Sequence, residues 1–136
     1  MGVISTNNNE IKLYYHSGNS LGKQTLGYIQ STDKKILAID IAQTKVTGTQ
    51  WIELARHLGV SVDKLINKEH PDFSQNYDEH ANMEEEDWLK ILDKMPIVLT
   101  YPIAIIGEKY IQLKGPVDFI KYIEPDSKGI DEKKHI

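Results

Sequence analysis

The sequence predicts an α/β fold in which helices flank a four-stranded mixed sheet and an all-helical insertion separates its two halves. A strand–helix–strand pattern with a short return opens the chain, and such a unit requires parallel strands and a right-handed crossover. Only helical patterns follow through the middle of the chain. A hairpin pattern and a helix then close it, which adds antiparallel strands. The 136 residues are enough for one domain with one core.

The first two predicted strands differ in the spacing of their apolar residues. Residues 10–16 alternate apolar and polar positions, which is the period-two pattern of a strand. Residues 35–41 are apolar almost without a break. Because such a segment is apolar on both faces, it predicts an inner strand covered by helices on both sides.

The helix between these strands is predicted over residues 21–31, where apolar side chains recur at helical spacing. Gly22 and Gly27 each weaken the helix by up to about 1 kcal/mol. We interpret Gly27 as a point where the helix approaches the sheet closely. Residues 17–20, just before the helix, are turn and cap residues.

The helical insertion begins and ends at recognisable cap residues. Thr47 and Gln50 form a capping-box pattern at the start of its first helix, and Gly59 is the expected C-terminal cap. Ser61 is expected to cap a short helix that continues to Asn67.

A polar, irregular stretch over residues 70–81 predicts a loop. Asn82 is the expected cap of the next helix, with Glu85 in the capping-box position. Pro96 ends that helix.

The last part of the chain predicts the hairpin. Residues 97–106 form the most apolar stretch, Tyr101-Pro102 interrupts it, and a turn at Gly107-Glu108 leads into residues 109–113. Gly115-Pro116 is expected to start a final helix. The domain is therefore predicted over residues 10–124, between a disordered leader at 1–9 and a flexible charged tail at 125–136.

Composition excludes several classes of function. The net charge of −4 argues against a dedicated nucleic-acid binder, which needs a basic face. The absence of cysteine excludes disulfides, thiolate nucleophiles and thiolate metal sites. Arg56 is the one arginine among sixteen lysine and arginine residues, so a site of several arginines cannot form in one chain.

No segment is long and apolar enough to cross a membrane, and no signal peptide is evident, so a cytoplasmic location is expected.

Several short motifs, in order, resemble the arsenate reductase (ArsC-like) family, whose relatives include the Spx-type transcription regulators. The resemblance implies a thioredoxin-like fold and extends from about Ile11 to Ile123. The matching segments are Tyr15-His16, Gln24-Thr25-Leu26, Leu58-Gly59-Val60-Ser61, Met95-Pro96-Ile97-Val98-Leu99, Tyr101-Pro102-Ile103-Ala104-Ile105, Ile106-Gly107-Glu108-Lys109 and Gly115-Pro116.

The residues that carry catalysis in that family are absent from this chain. The position of its catalytic cysteine corresponds to Asn19 or Ser20, because the loop is one residue shorter. The three arginine positions are occupied by other residues: Tyr101, then Lys114 or Gly115, then Ile66 or Asn67. Arsenate reduction needs a sulfur that bonds arsenic and then exchanges with another thiol, and a serine hydroxyl cannot do this.

The resemblance nevertheless indicates where a ligand or partner would bind. In the family the loop after the first strand faces the loop that carries a cis-proline, so Tyr101-Pro102 is expected to be cis and to form a shallow groove with the first loop. The candidate contacts are Gly18, Asn19, Ser20, Lys23, Tyr101, Pro102 and Lys114. Simpler interpretations are a plain helix cap at Asn19 or Ser20, and a Tyr101 that only packs over the loop.

A second group of residues has the chemistry of metal ligands but not the spacing. These residues are His70, Asp72, Asp78, Glu79 and His80. They match no known ligand pattern, so no metal site is predicted.

The sequence therefore favours a non-catalytic binding or interaction protein with no cofactor. Its partner would be an unidentified protein or small polar ligand, and its oligomeric state is undetermined. The alternatives are a glutathione- or thiol-linked accessory oxidoreductase, and a small-anion binder that uses Lys23 and Lys114.

Overall fold

A computed structural model describes residues 10–31, 35–78, 82–115 and 118. The expected leader, the charged tail and the final helix from residue 116 onward lie outside this part, apart from Asp118. The helical and strand segments are β1 Glu10–Tyr15, α1 Ser20–Gln30, β2 Lys35–Asp40, α2 Gly48–Leu58, α3 Pro71–Ser74, α4 Glu85–Lys94, β3 Ile103–Ile106 and β4 Lys109–Gln112, with 3-10 turns at Val62–Leu65 and Pro96–Val98.

The four strands form one mixed sheet in the order β2-β1-β3-β4. β1 pairs in parallel with β2, with Leu13 opposite Ala38, and antiparallel with β3, with Leu13 opposite Ala104. β3 pairs antiparallel with β4. The predicted fold class, a mixed four-stranded sheet flanked by helices, is therefore confirmed.

β2 was expected to be an inner strand, and that prediction is wrong. It lies at the edge of the sheet, and its residues are exposed or half-buried, with Leu37 45% exposed. Ile36 packs against the core on one face of the sheet and Ile39 against the core on the other. An apolar segment can satisfy both faces this way at an edge, so its composition alone does not determine its place in the sheet.

Gly22, not Gly27, is the point where α1 approaches the sheet closely. A Cβ on Gly22 would lie 2.7 Å from the carbonyl oxygen of His16, whereas a Cβ on Gly27 would have no neighbour within 4 Å. The expectation for Gly27 is wrong because that residue lies on the exposed side of the helix.

The first helix of the insertion has the predicted ends. The Thr47 hydroxyl accepts from the Gln50 N–H at 3.2 Å, and the Gln50 side chain accepts from the Thr47 N–H at 3.2 Å. Gly59 ends the helix with a left-handed φ of 74°, as expected of a C-terminal cap.

The rest of the insertion departs from the sequence prediction in its boundaries. Ser61 precedes a 3-10 turn and makes no capping bond. The expected loop at 70–81 contains the short helix α3, which starts with Pro71 in its first turn. The cap of α4 is Glu84, paired reciprocally with Asp87, and not Asn82. The residues of this helix that are buried are Trp88, Ile91 and Leu92.

The peptide bond before Pro102 is trans, so the expected cis-proline is wrong. The chain already changes direction earlier, in the 3-10 turn at Pro96–Val98, and Leu99 then pairs with Ile66 in an isolated bridge. No sharp reversal is needed at Pro102, and its carbonyl accepts from the Leu113 N–H at 2.8 Å.

The hydrophobic core lies on both faces of the sheet. The larger cluster joins the sheet to the helical insertion through Trp51, Phe73 and Trp88. The smaller cluster packs α1 against the other face through Leu13 and Ile29. No described helix has the length and apolar character needed to cross a membrane.

Candidate functional site

A groove of about 170 Å³ lies where the loop after β1 meets the segment before β3. It is lined by His16, Asn19, Ser20, Leu21, Gly22, Asn67, His70, Ile97, Leu99, Thr100 and Pro102. The two loops that the resemblance places side by side therefore meet here, although without a cis-proline.

The wall from the first loop is built by a tight turn at the end of β1. The Asn19 N–H donates to the His16 carbonyl at 3.0 Å, and the Gly18 N–H donates to Nδ1 of His16 at 2.8 Å. A Cβ on Gly18 would lie only 2.9 Å from the His16 ring, so the close contact depends on glycine at this position.

Asn19 ties the first loop to the opposite wall. It occupies the cap position of α1, yet its side chain makes no cap hydrogen bond. Its amide nitrogen instead donates to the Ile97 carbonyl across the groove at 3.2 Å. The simpler interpretation of Asn19 as a capping side chain is therefore wrong.

His70 completes the groove from the helical insertion. Its Nδ1 accepts from the Asp72 N–H at 3.0 Å and so caps α3. Asn67 is held nearby, because its N–H donates to the Val98 carbonyl at 2.7 Å. Backbone pairing between the insertion and the segment before β3 thus positions this wall.

Asp40, at the end of β2, influences the electrostatics beside the groove. Burial opposes its ionisation, but hydrogen bonds from Ser17 and from the Ala42 N–H outweigh that effect, so the pKa of Asp40 is lowered. Burial lowers the pKa of His16, the Asp40 charge opposes this, and His70 adds to the lowering. His16 is therefore held in its neutral form more strongly than a free histidine.

The neighbouring serine, histidine and aspartate do not form a nucleophilic triad. In such a triad the carboxylate accepts a hydrogen bond from the Nδ1–H of histidine, which leaves Nε2 unprotonated and free to act as a base. Here Nδ1 of His16 accepts from Gly18, and the Asp40 carboxylate accepts from the N–H groups of Ser17 and Ala42. Nε2 of neutral His16 therefore carries the proton and cannot take one from Ser20.

The structure places the sequence-predicted candidates in two groups. Asn19, Ser20 and Pro102 line the groove, and Gly18 shapes its wall. Three others do not line it: Lys23, Tyr101 and Lys114. The Lys114 ammonium lies over the Tyr101 ring, 5.8 Å from its centre.

Sequence reasoning missed His16, His70 and Asn67 as groove residues. His16 was visible only as part of a motif, and His70 only as a member of an unconvincing metal cluster. A signal was present at His70-Pro71, since proline in a first helical turn marks a helix start and the preceding residue caps it. In the part of the chain that the structure describes, no three metal-ligating side chains gather, and Glu79 and His80 lie outside that part.

No family model and no curated protein sequence matches the chain. Solved structures, however, do match it. The arsenate reductase from Vibrio cholerae superposes with a TM-score of 0.73 at 13% identity, covering 85% of this chain and 99% of that one. The chain has the arsenate reductase (ArsC-like) fold. A putative arsenate reductase from Yersinia pestis gives 0.69 at 17% identity, with 82% and 98% covered. A putative ArsC family related protein from Bacteroides fragilis gives 0.65 at 12% identity, with 83% and 98% covered.

Proposed function

We propose that this ArsC-like protein is a non-catalytic binding module that takes a small polar ligand in the groove between the first loop and the segment before β3. The observation that carries the proposal is the lining of the groove. It combines hydrogen-bonding side chains from His16, Asn19 and Ser20 with an apolar wall from Ile97 and Leu99. A small ligand with a polar and an apolar part suits such a site.

The chemistry of arsenate reduction is not available to this lining. The chain contains no cysteine, so nothing can form the bond to arsenic or exchange with glutathione. Asn19 and Ser20, the two residues at the cysteine position, line the groove as an amide and a hydroxyl. Binding without turnover is the function that remains consistent with these residues.

Ligand titrations followed by backbone amide NMR on the full chain test the binding role. The ligand set contains short-chain carboxylates, phosphates and short peptides. We expect at least one member to shift amides of residues 16–22 and 97–102. Ser20→Trp should abolish these shifts because the indole fills the groove, whereas Gln24→Trp, at an exposed position of α1 outside the lining, should leave them unchanged.

Shifts that persist in Ser20→Trp, or a set in which no ligand moves these amides, would contradict the proposal.

The absence of catalysis is tested separately with Asn19→Cys and Ser20→Cys. We expect neither to reduce arsenate with glutathione or glutaredoxin, because a lone thiol keeps a pKa near about 8.5, or slightly lower at a helix start, and no arginine holds the oxyanion. Arsenate-dependent turnover in either variant would show that the scaffold retains more of the reaction than its residues indicate.

A further inference from the structure

Two histidines from separate elements line the groove, one after β1 and the other at the head of α3. We propose that His16 and His70 are the ligand-recognising pair of the groove, and that their Nε2–H groups bind the carboxylate of a small monocarboxylic acid. This inference rests on the proposed function, and it names the chemical class of the ligand.

The hydrogen bonds of the two rings determine which nitrogen carries the proton. Nδ1 of His16 accepts from the Gly18 N–H at 2.8 Å, and Nδ1 of His70 accepts from the Asp72 N–H at 3.0 Å. A ring nitrogen that accepts a hydrogen bond is unprotonated, so each neutral imidazole carries its proton on Nε2. Within the described residues neither Nε2 donates to another group. Two N–H donors are thus available to one ligand.

The same bonds argue against a metal ion between the histidines. A metal-binding imidazole offers one bare nitrogen to the ion and donates the N–H of the other to an acceptor. Here the bare nitrogen of each ring is already occupied by a backbone N–H, and the nitrogen that remains carries a proton. The pair therefore suits a hydrogen-bond acceptor and not a cation.

The groove lacks the positive charge that a dianion needs, and the ionised Asp40 carboxylate beside it repels a dianion more than a monoanion. No lysine, arginine or carboxylate lines it in the described part of the chain. Lys23 is exposed on α1 outside the lining, and the Lys114 ammonium lies over Tyr101. Phosphate and arsenate are bound well by charged, bidentate donors, which are missing here. A carboxylate has two oxygens, one for each Nε2–H.

The apolar wall indicates which kind of group the carboxylate should carry. Ile97, Leu99 and Pro102 line the groove beside the polar side chains. A short aliphatic chain can bury its methylene groups there, each contributing up to about 0.8 kcal/mol. Butyrate is therefore a suitable probe, and inorganic phosphate is the matched dianion without an apolar part.

The experiment titrates the full chain with butyrate and with phosphate, at a pH well above the histidine range of about 6.5. Long-range proton–nitrogen NMR spectra of the imidazole rings are the readout. We expect both rings to show the Nε2–H tautomer, butyrate to shift their Nε2 signals, and phosphate to leave them in place. His16→Asn and His70→Asn keep an acceptor for the backbone N–H, and each should weaken butyrate binding by about ten- to a hundredfold, the loss expected for one hydrogen bond to a charged group.

Lys23→Ala is the control and should bind butyrate as the unmodified protein does. Tighter binding of phosphate, or a loss of binding in Lys23→Ala, would overturn the inference in favour of a site based on positive charge. Butyrate binding that survives in both asparagine variants would overturn the histidine pair but leave the proposed binding role intact. If butyrate shifts neither ring, this inference fails, whereas the proposed function is decided by the Ser20→Trp comparison.

Discussion

Thr25 is fully buried on the inner face of α1, and its hydroxyl oxygen has no hydrogen-bond partner among the described residues. A buried hydroxyl without a partner costs about 1–3 kcal/mol, because it gives up its bonds to water and gains none. The neighbouring residue Ile29, one turn later, is equally buried and apolar. The position therefore favours an apolar side chain of the same shape.

Thr25→Val should raise the free energy of unfolding by about 1 kcal/mol, since it removes the hydroxyl and keeps the volume. Thr25→Ser is the matched variant: it keeps the hydroxyl and deletes a buried methyl group, which should lower stability by about 1 kcal/mol. Urea unfolding of the three proteins measures the difference. A valine variant less stable than the native chain would show that the hydroxyl has a partner in solution.

The two glycines of α1 give a second contrast between single residues. Gly22→Ala places its Cβ 2.7 Å from the backbone oxygen of His16, and backbone cannot move as a flexible side chain does. We expect a loss of about 1–3 kcal/mol, the usual cost of overpacking. Gly27→Ala meets nothing within 4 Å and should gain up to about 1 kcal/mol from helix propensity. Thermal unfolding of both variants tests this, and equal melting temperatures would contradict the packing described for Gly22.

At the scale of elements, helix ends were predictable where a cap depends on neighbouring residues alone. The capping box of Thr47 with Gln50 and the C-terminal cap at Gly59 each depend on residues within one turn of the chain. The structure contains both caps. The prediction of Asn82 as the cap failed because Glu84, two residues later, offers an equally local cap, which pairs reciprocally with Asp87. The prediction that β2 is an inner strand also failed, because strand order depends on contacts between residues distant in sequence.

The capping box of α2 yields a prediction for that element. Thr47→Ala removes the acceptor of the Gln50 N–H and should lower the free energy of unfolding by about 1 kcal/mol, within a range of about 0.5–2 kcal/mol. Thr49→Ala is the control, because Thr49 is exposed within α2 and alanine favours a helix interior by up to about 0.7 kcal/mol. Chemical unfolding measures both. If the two alanine variants prove equally stable, the box contributes nothing to α2.

At the scale of the whole molecule, the position of the groove was predictable, but the two histidines that line it, His16 and His70, were not. The resemblance to the arsenate reductase family implies that the loop after β1 lies beside the segment before β3, so Asn19, Ser20 and Pro102 could be named in advance. His70 comes from the insertion, whose docking depends on the pairing of Ile66 with Leu99. Nothing local in the sequence reports that pairing, and nothing reports which ring nitrogen carries a proton.

His16 in the groove and Asp40 beside it make the stability of the molecule depend on pH in two separate steps. The pKa of His16 is lowered from its ordinary value of 6.5, so the unfolded chain binds a proton at a higher pH than the folded chain. The stability that His16 contributes is therefore complete above about pH 6.5 and decreases as the pH falls through that value toward the lower folded pKa. The pKa of Asp40 is lowered from 3.8, so its contribution is lost only below about that pH.

His16→Asn separates these steps, because an asparagine oxygen can still accept the Gly18 N–H but does not titrate. Urea unfolding from about pH 8 down to about pH 3 should show a loss of stability near pH 6 in the native chain. In His16→Asn that loss should be reduced, while the loss at lower pH remains because Asp40 still accepts from Ser17 and Ala42. The reduction follows because burial lowers the pKa of the His16 ring in the folded chain. An unchanged profile near pH 6 in the variant would mean that His16 titrates alike in the folded and unfolded chains, and that burial does not lower its pKa.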